Sequence, residues 1–378
     1  MRKFLLLSYC FILASELLTS RVYAGGSLPP PSPSTSTNVA LDFTDFVVFG
    51  NNRVVIGRGV DLDDEVIDPD DPDDLTTING GNLGSNRNLY TYGRTQTEGI
   101  FAGEDYHAGR EIQVDGDIVA NSEVRIYSDS HIAGDIDSGG DLYLGSRTNV
   151  GGDITAAGDM FLGTGIVIGG TQASGGTPDV YVPVTLPPQT VFGAGAVDVR
   201  SGSNETVTLL PGSYDDVLLG SYNVLNLTSG KYYLDSFHLG AYSIINLDLS
   251  GGSFEMHLVR DVKLGRYTTM FLTNGTPDQV LWDVGTSWHS YGYATLYGTV
   301  FAQNDIVIGR GNNITGALYA ADQIHIYGNS VINFDLYCEL THAGCDDPPI
   351  TSAVPEPGTM ALLGSGLLGA FRFRRKKT

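Results

Sequence analysis

The chain has 378 residues, with 43 acidic side chains against 21 basic ones, a formal charge of −22 and a hydrophobic content of 42%. Such an acidic excess repels nucleic acid and anionic lipid, so DNA- and RNA-binding readings are excluded. What it attracts is divalent cations or cationic polymers.

Arg2 and Lys3 precede an apolar run from Phe4 to Leu18, and Val22-Tyr23-Ala24 places small residues where a signal peptidase cuts. This is the three-part order of a secretory signal peptide over residues 1–24, with cleavage between Ala24 and Gly25. The chain is therefore expected to be exported. Residues 25–38, rich in Pro, Ser and Thr from Leu28 to Thr37, read as a solvated linker.

A β-helical segment is expected over 39–170, interrupted by an acidic loop at 61–74. Asp61, Asp63, Asp64, Glu65 and Asp68 offer closely spaced hard oxygen ligands, which suits weak calcium binding. The EF-hand pattern is missing, because Val66 stands where its glycine belongs and Pro72 where its bidentate glutamate belongs. A solvated acidic loop is the other reading.

Three consecutive stretches starting at Gly116, Gly134 and Gly152 align without gaps at an 18-residue step. Apolar residues share four columns: Ile118, Val124, Ile126 and Ile132; Ile136, Leu142, Leu144 and Val150; Ile154, Met160, Leu162 and Ile168. Ile100, Tyr106, Ala108 and Val114 form a looser copy, and the template returns after Gly298 and Gly316. Apolar-x-apolar triplets alternate like strands, and the Gly, Asn and Asp between them supply turns. One unit cannot bury its apolar side alone, so coils stack; the predicted fold is all-β, a parallel β-helix. The Gly-Asp-Ile columns resemble those of bactofilins and related polymer-forming β-helices.

Thr171 to Pro188, with four prolines, reads as a crossing at 171–188 between two β-helical segments, the second over 189–337. Within the second, Leu219-Gly220-Ser221-Tyr222, Leu239-Gly240-Ala241-Tyr242 and Leu264-Gly265-Arg266-Tyr267 mark longer coils. Their tyrosines are either an exposed ladder that stacks on sugar rings or an internal stack between coils, and the internal stack is preferred. Asp117, Asp135 and Asp153 are candidate carboxylates for polysaccharide cleavage, but they recur in every coil, as a turn residue does and a catalytic pair does not. His107, His131, His238, His257, His289, His325 and His342 share no motif. No catalytic residue is assigned and the protein is read as non-catalytic.

Cys338 and Cys345 bound a spacer at 338–353 and are expected to pair, since an exported chain meets an oxidising environment. The tail, 354–378, runs Val354-Pro355-Glu356-Pro357, then an apolar stretch from Met360 to Ala370, then Arg372, Arg374, Arg375, Lys376 and Lys377. Cations after an apolar stretch hold that end in the cytoplasm as a stop. Tripeptide, apolar block and basic cluster together resemble the PEP-CTERM sorting domain. That resemblance implies recognition of Pro-Glu-Pro by an exosortase, a transient membrane anchor, a Gram-negative host, and a place on the surface or in an exopolysaccharide biofilm matrix. The reading is a sorted structural or adhesive protein, with exopolysaccharide and further copies of the chain as expected partners; the alternatives are a polysaccharide-active β-helix enzyme and a self-polymerising filament protein.

Overall fold

Each coil is built from three short strands whose alternation sends apolar side chains inward. Ile118–Ala120, Val124–Ile126 and His131–Ile132 make one coil, and their inward residues Ile118, Val124, Ile126 and Ile132 are at most 2% exposed. The computed structural model describes residues 37–57, 75–189 and 191–335. These form a parallel β-helix of three 13-stranded sheets. Sheet I contains Phe46–Gly50, sheet II Arg53–Ile56 and sheet III Leu75–Asn79. The ungapped 18-residue alignment is the register itself: Ile118 lies beside Ile136 and Ile136 beside Ile154. The backbone amides of each coil bond to the next, so the hydrogen-bond ladders run parallel to the stack.

Chain order and spatial order differ. From the middle of the stack the first segment winds outward to Met160–Leu162, Val167–Ile168 and Gln172–Ser174. The last of these strands lies inside the stretch expected to be a pure crossing. The second segment begins at the opposite end with Val199–Ser201, Thr206–Thr208 and Gly212–Ser213, then winds back to the middle. There the final coil meets the first: Leu318 pairs with Val48, Ile324 with Val54, Ile326 with Ile56, and Ile332 with Ile78. All eight are at most 1% exposed. Two segments far apart in sequence thus share one unbroken core.

The connection between them lies against the outer side of sheet I. Val180–Tyr181 pairs in parallel with Asn38–Val39, and Tyr181 packs on Phe46 and Phe101 at ring distances of 6.3 and 6.1 Å. Two asparagines hold this strap by imitating a backbone. Asn121 accepts from the Tyr181 amide and donates to its carbonyl, both at 2.8 Å. Asn86 does the same to Val184, at 2.7 and 2.6 Å. The strap seals a second apolar layer containing Phe49, Phe101, Phe301 and Tyr319, which would otherwise expose a large aromatic patch.

Candidate functional site

With the strap lying on sheet I, sheets II and III are the broad faces left open to a partner. Sheet II is charged. Its central outward column carries Arg200, His238, Lys263, His289, His325, His107 and Arg125 in successive or near-successive coils. A column of acids borders it, including Asp216, Asp261, Asp305 and Glu123, and pairs such as Lys263–Asp261 at 2.6 Å and Arg125–Glu123 at 2.9 Å join the two. Four of the seven histidines therefore fall in one column, although none shares a sequence motif.

Sheet III differs. Its first outward column runs Thr206, Val224, Ile244, Thr269, Thr295, Asn313, Val331, Thr77 and Gln96, and on to Val167 at the far end. No Asp, Glu, Lys or Arg occurs in it. The neighbouring outward column includes Asn226, Asn246, Phe271, Tyr297, Asn333 and Asn79, and asparagines bond from coil to coil, Asn246 to Asn226 at 2.9 Å and Asn79 to Asn333 at 2.9 Å.

The corner between these sheets needs one left-handed residue per coil; it is a glycine, asparagine or aspartate at Gly93, Asp129, Gly165, Asn204, Gly311 and Asn329, and Glu111 and Arg147 fill two more. In four successive coils the residue is tyrosine instead: Tyr222, Tyr242, Tyr267 and Tyr293, with φ between 52° and 61°. Their rings stack at 5.0, 4.8 and 5.1 Å, nearly parallel, and are 41–54% exposed. The coil-to-coil stack preferred from the sequence exists, but on the outside. The stacking of sugars on ring faces is corrected with it, because each inner face is filled by the next tyrosine. At the lower end a Cβ on Gly311 would come within 2.7 Å of the Tyr293 ring, so that face is occupied too. Beside the ladder runs a glycine trough; a Cβ on Gly240 would come within 2.5 Å of the Gly220 carbonyl carbon.

Magnitudes separate two accounts of this ladder. A side chain at a left-handed corner costs about 1–2 kcal/mol relative to glycine, or roughly 4–8 for four. Three stacked pairs return about 0.5–1.5 kcal/mol each. Stacking alone does not offset the strain. Tyr242→Ala keeps the strain and loses two stacks, and is expected to cost about 1–3 kcal/mol in denaturant unfolding. Tyr242→Gly loses the same stacks but relieves the corner, and is expected to fall within about 1 kcal/mol of the parent.

Under the strap lies a buried charge network that sequence reading did not single out. His257 Nδ1 meets Asp283 at 3.1 Å and its Nε2 meets Glu255 at 3.0 Å, while Lys231 reaches Glu255 at 2.9 Å. Burial alone would lower the His257 pKa, but the two carboxylates outweigh it and push it up to about 9. Burial likewise opposes ionisation of Glu255, yet His257 and Lys231 hold it down at about 2. An imidazole held protonated at neutral pH between two carboxylates is an ion-pair rivet rather than a general base. Pro187, Pro188 and Gln189 close over it, leaving a cavity of about 150 Å³.

The recurring carboxylates are also engaged. Asp117 accepts from the Asp135 amide at 2.9 Å, Asp135 from Asp153 at 2.7 Å, and Asp153 from Thr171 at 2.6 Å. Each is a rung between coils. Asp137, on sheet I near the strap, differs: desolvation pushes it up to about 6. Asp215, Asp216 and Asp235 approach one another closely, and Arg260 bonds Asp216 at 2.9 Å and also bridges Asp235, which offsets part of their charge.

The signal cleavage site Ala24 and Gly25, the calcium candidates Asp61, Asp63, Asp64, Glu65 and Asp68, the Cys338–Cys345 pair, and the tail from Val354 to Lys377 all lie outside the described residues. Among the described residues no helix is long and apolar enough to cross a membrane.

Three solved solenoid structures align over most of the chain: an ice-binding protein from the Antarctic ascomycete Antarctomyces psychrotrophicus (13% identity, 77% of this chain, 95% of that one, TM-score 0.34), one from an Antarctic Flavobacteriaceae bacterium (12%, 76% and 81%, 0.27), and one from an Antarctic biological consortium (13%, 80% and 95%, 0.29). No curated protein matches the sequence. Residues 353–376 match the PEP-CTERM protein-sorting motif, which implies processing by an exosortase and export to the cell envelope or surface of a Gram-negative bacterium.

Proposed function

We propose that the protein is a non-catalytic structural or adhesive component of the bacterial surface or its exopolysaccharide matrix, presented as a rigid rod. The observation that carries this reading is the sorting motif at 353–376 on a chain whose body is one continuous solenoid. The recurrent carboxylates are spent on coil-to-coil bonds and His257 is locked by two acids, which supports a scaffold over an enzyme. The test is the C-terminal mass of the product exported from a host that has an exosortase. Loss of everything beyond the Pro355-Glu356-Pro357 region is expected. An intact basic tail on the exported protein would remove the main support for a matrix component.

A self-assembling rod is a second reading, favoured by one observation. At the end of the first segment the inward-facing Leu162 is 40% exposed, so that coil lacks the cover every interior coil has. Filaments in negative-stain images support it; a concentration-independent monomer by light scattering rules it out.

A further inference from the structure

The uncharged face of sheet III, with the tyrosine ladder as its rim, has chemistry that selects a partner. We propose that it is a docking surface for a neutral glycan lying on the part of the sheet wound by the second segment; this rests on the reading of the chain as a surface or matrix component and names its partner. The choice follows from what the face offers and withholds. Its first two outward columns carry no Asp, Glu, Lys or Arg along the second segment, whereas sheet II, on the same coils, alternates acids with His, Lys and Arg. A chain of charge −22 disfavours an anionic polymer, and an uncharged face gives a cationic one nothing to pair with.

Sugars present apolar C–H faces and hydroxyl edges together, and the face does likewise. Ile244, Phe271 and Tyr297 supply apolar and aromatic contact, Phe271 being 51% exposed, while Thr269, Thr295 and Asn246 supply donors and acceptors between them. Neighbouring strands lie about 4.8 Å apart, and alternate residues along a strand about 6.6 Å, so these groups form a flat lattice on a backbone that cannot rearrange. The ladder extends that lattice sideways: its tyrosines stay 41–54% exposed even though their rings stack on one another. The opposite rim carries Asp248, whose pKa is lowered by the Asn274 amide and the Ser250 backbone.

The test is retention of the purified full-length protein on microcrystalline cellulose and insoluble mannan, with alginate beads as the anionic control, at low and high salt. Salt-independent retention on at least one neutral glycan is expected, with at least a tenfold loss in the Thr269→Glu/Phe271→Ala double variant and none in Lys263→Ala on sheet II. Tyr242→Ala/Tyr267→Ala, which alters only the rim, is expected to lower retention several-fold. Circular dichroism and the melting transition establish that each variant is folded. Retention of the double variant equal to the parent overturns the proposal. So does preference for alginate, adsorption to ice crystals without glycan retention, or no retention on either neutral glycan. Sorting plays no part in this assay, so a negative result leaves the tail reading standing, and an uncleaved tail leaves the binding result standing.

Discussion

Trp282→Ala is expected to destabilise the solenoid by about 3–5 kcal/mol, the range for deleting a fully buried aromatic. Trp282 is 0% exposed and meets Trp288 at 5.0 Å, Phe254 at 5.5 Å and Phe237 at 6.2 Å. Its indole N–H donates to the Tyr297 carbonyl at 3.1 Å, so the substitution also leaves that acceptor without its partner. The coils on both sides are held in register by backbone bonds, and the cavity therefore cannot collapse. Trp282→Phe keeps most of the packing and is expected to cost less than half as much. Denaturant unfolding followed by near- and far-ultraviolet circular dichroism measures both. A loss below about 1 kcal/mol for the alanine variant would mean that this aromatic cluster is not packed as described.

The rivet under the strap gives the second large effect, and its sign follows from the direction of the shift. The His257 pKa rises from 6.5 to about 9 on folding. Its contribution is therefore complete below pH 6.5 and is lost as pH rises through 9, on the order of 3 kcal/mol in all. Glu255 falls from 4.5 to about 2, so its share is complete above pH 4.5 and is lost as pH falls through 2. Comparing the parent with His257→Gln isolates the histidine. The stability gap between them is expected to be widest near pH 6 and to close by pH 10. A gap that stays constant across that range would show that His257 is neutral in the folded protein.

The repeats that announce the fold are the ones whose inward columns are apolar and whose corners are tight. Ile118, Ile136 and Ile154 fall on one line in the sequence alignment and in the sheet alike. The coil containing Leu83 and Leu89 was not legible, because its inward positions continue with Thr91, Thr95 and Thr97, all buried, and threonine reads as surface. The first coil was hidden for another reason: the acidic insertion separates Ile56 from Leu75 and breaks the period. Register between the first and last coils could not be read at all, since no local signal links Val48 to Leu318. The tyrosine column was visible as a column, but its side was not. A left-handed corner points its side chain outward whatever its polarity, and three-residue patterns do not report φ. The His257 network was not legible because its members come from three neighbouring strands, Gly230–Leu234, Phe254–Leu258 and Val280–Val284, with His257 and Asp283 26 residues apart.

The meeting of first and last coils fixes where a tether pulls. The described chain leaves the stack at Asp335, beside the central coil, and the sorting motif begins at residue 353. A rod gripped at its waist is a crossbar. As long as the tail is still attached to the membrane, drag on either arm produces torque about the attachment point, and force through the tail reaches the solenoid at the joint between the two segments.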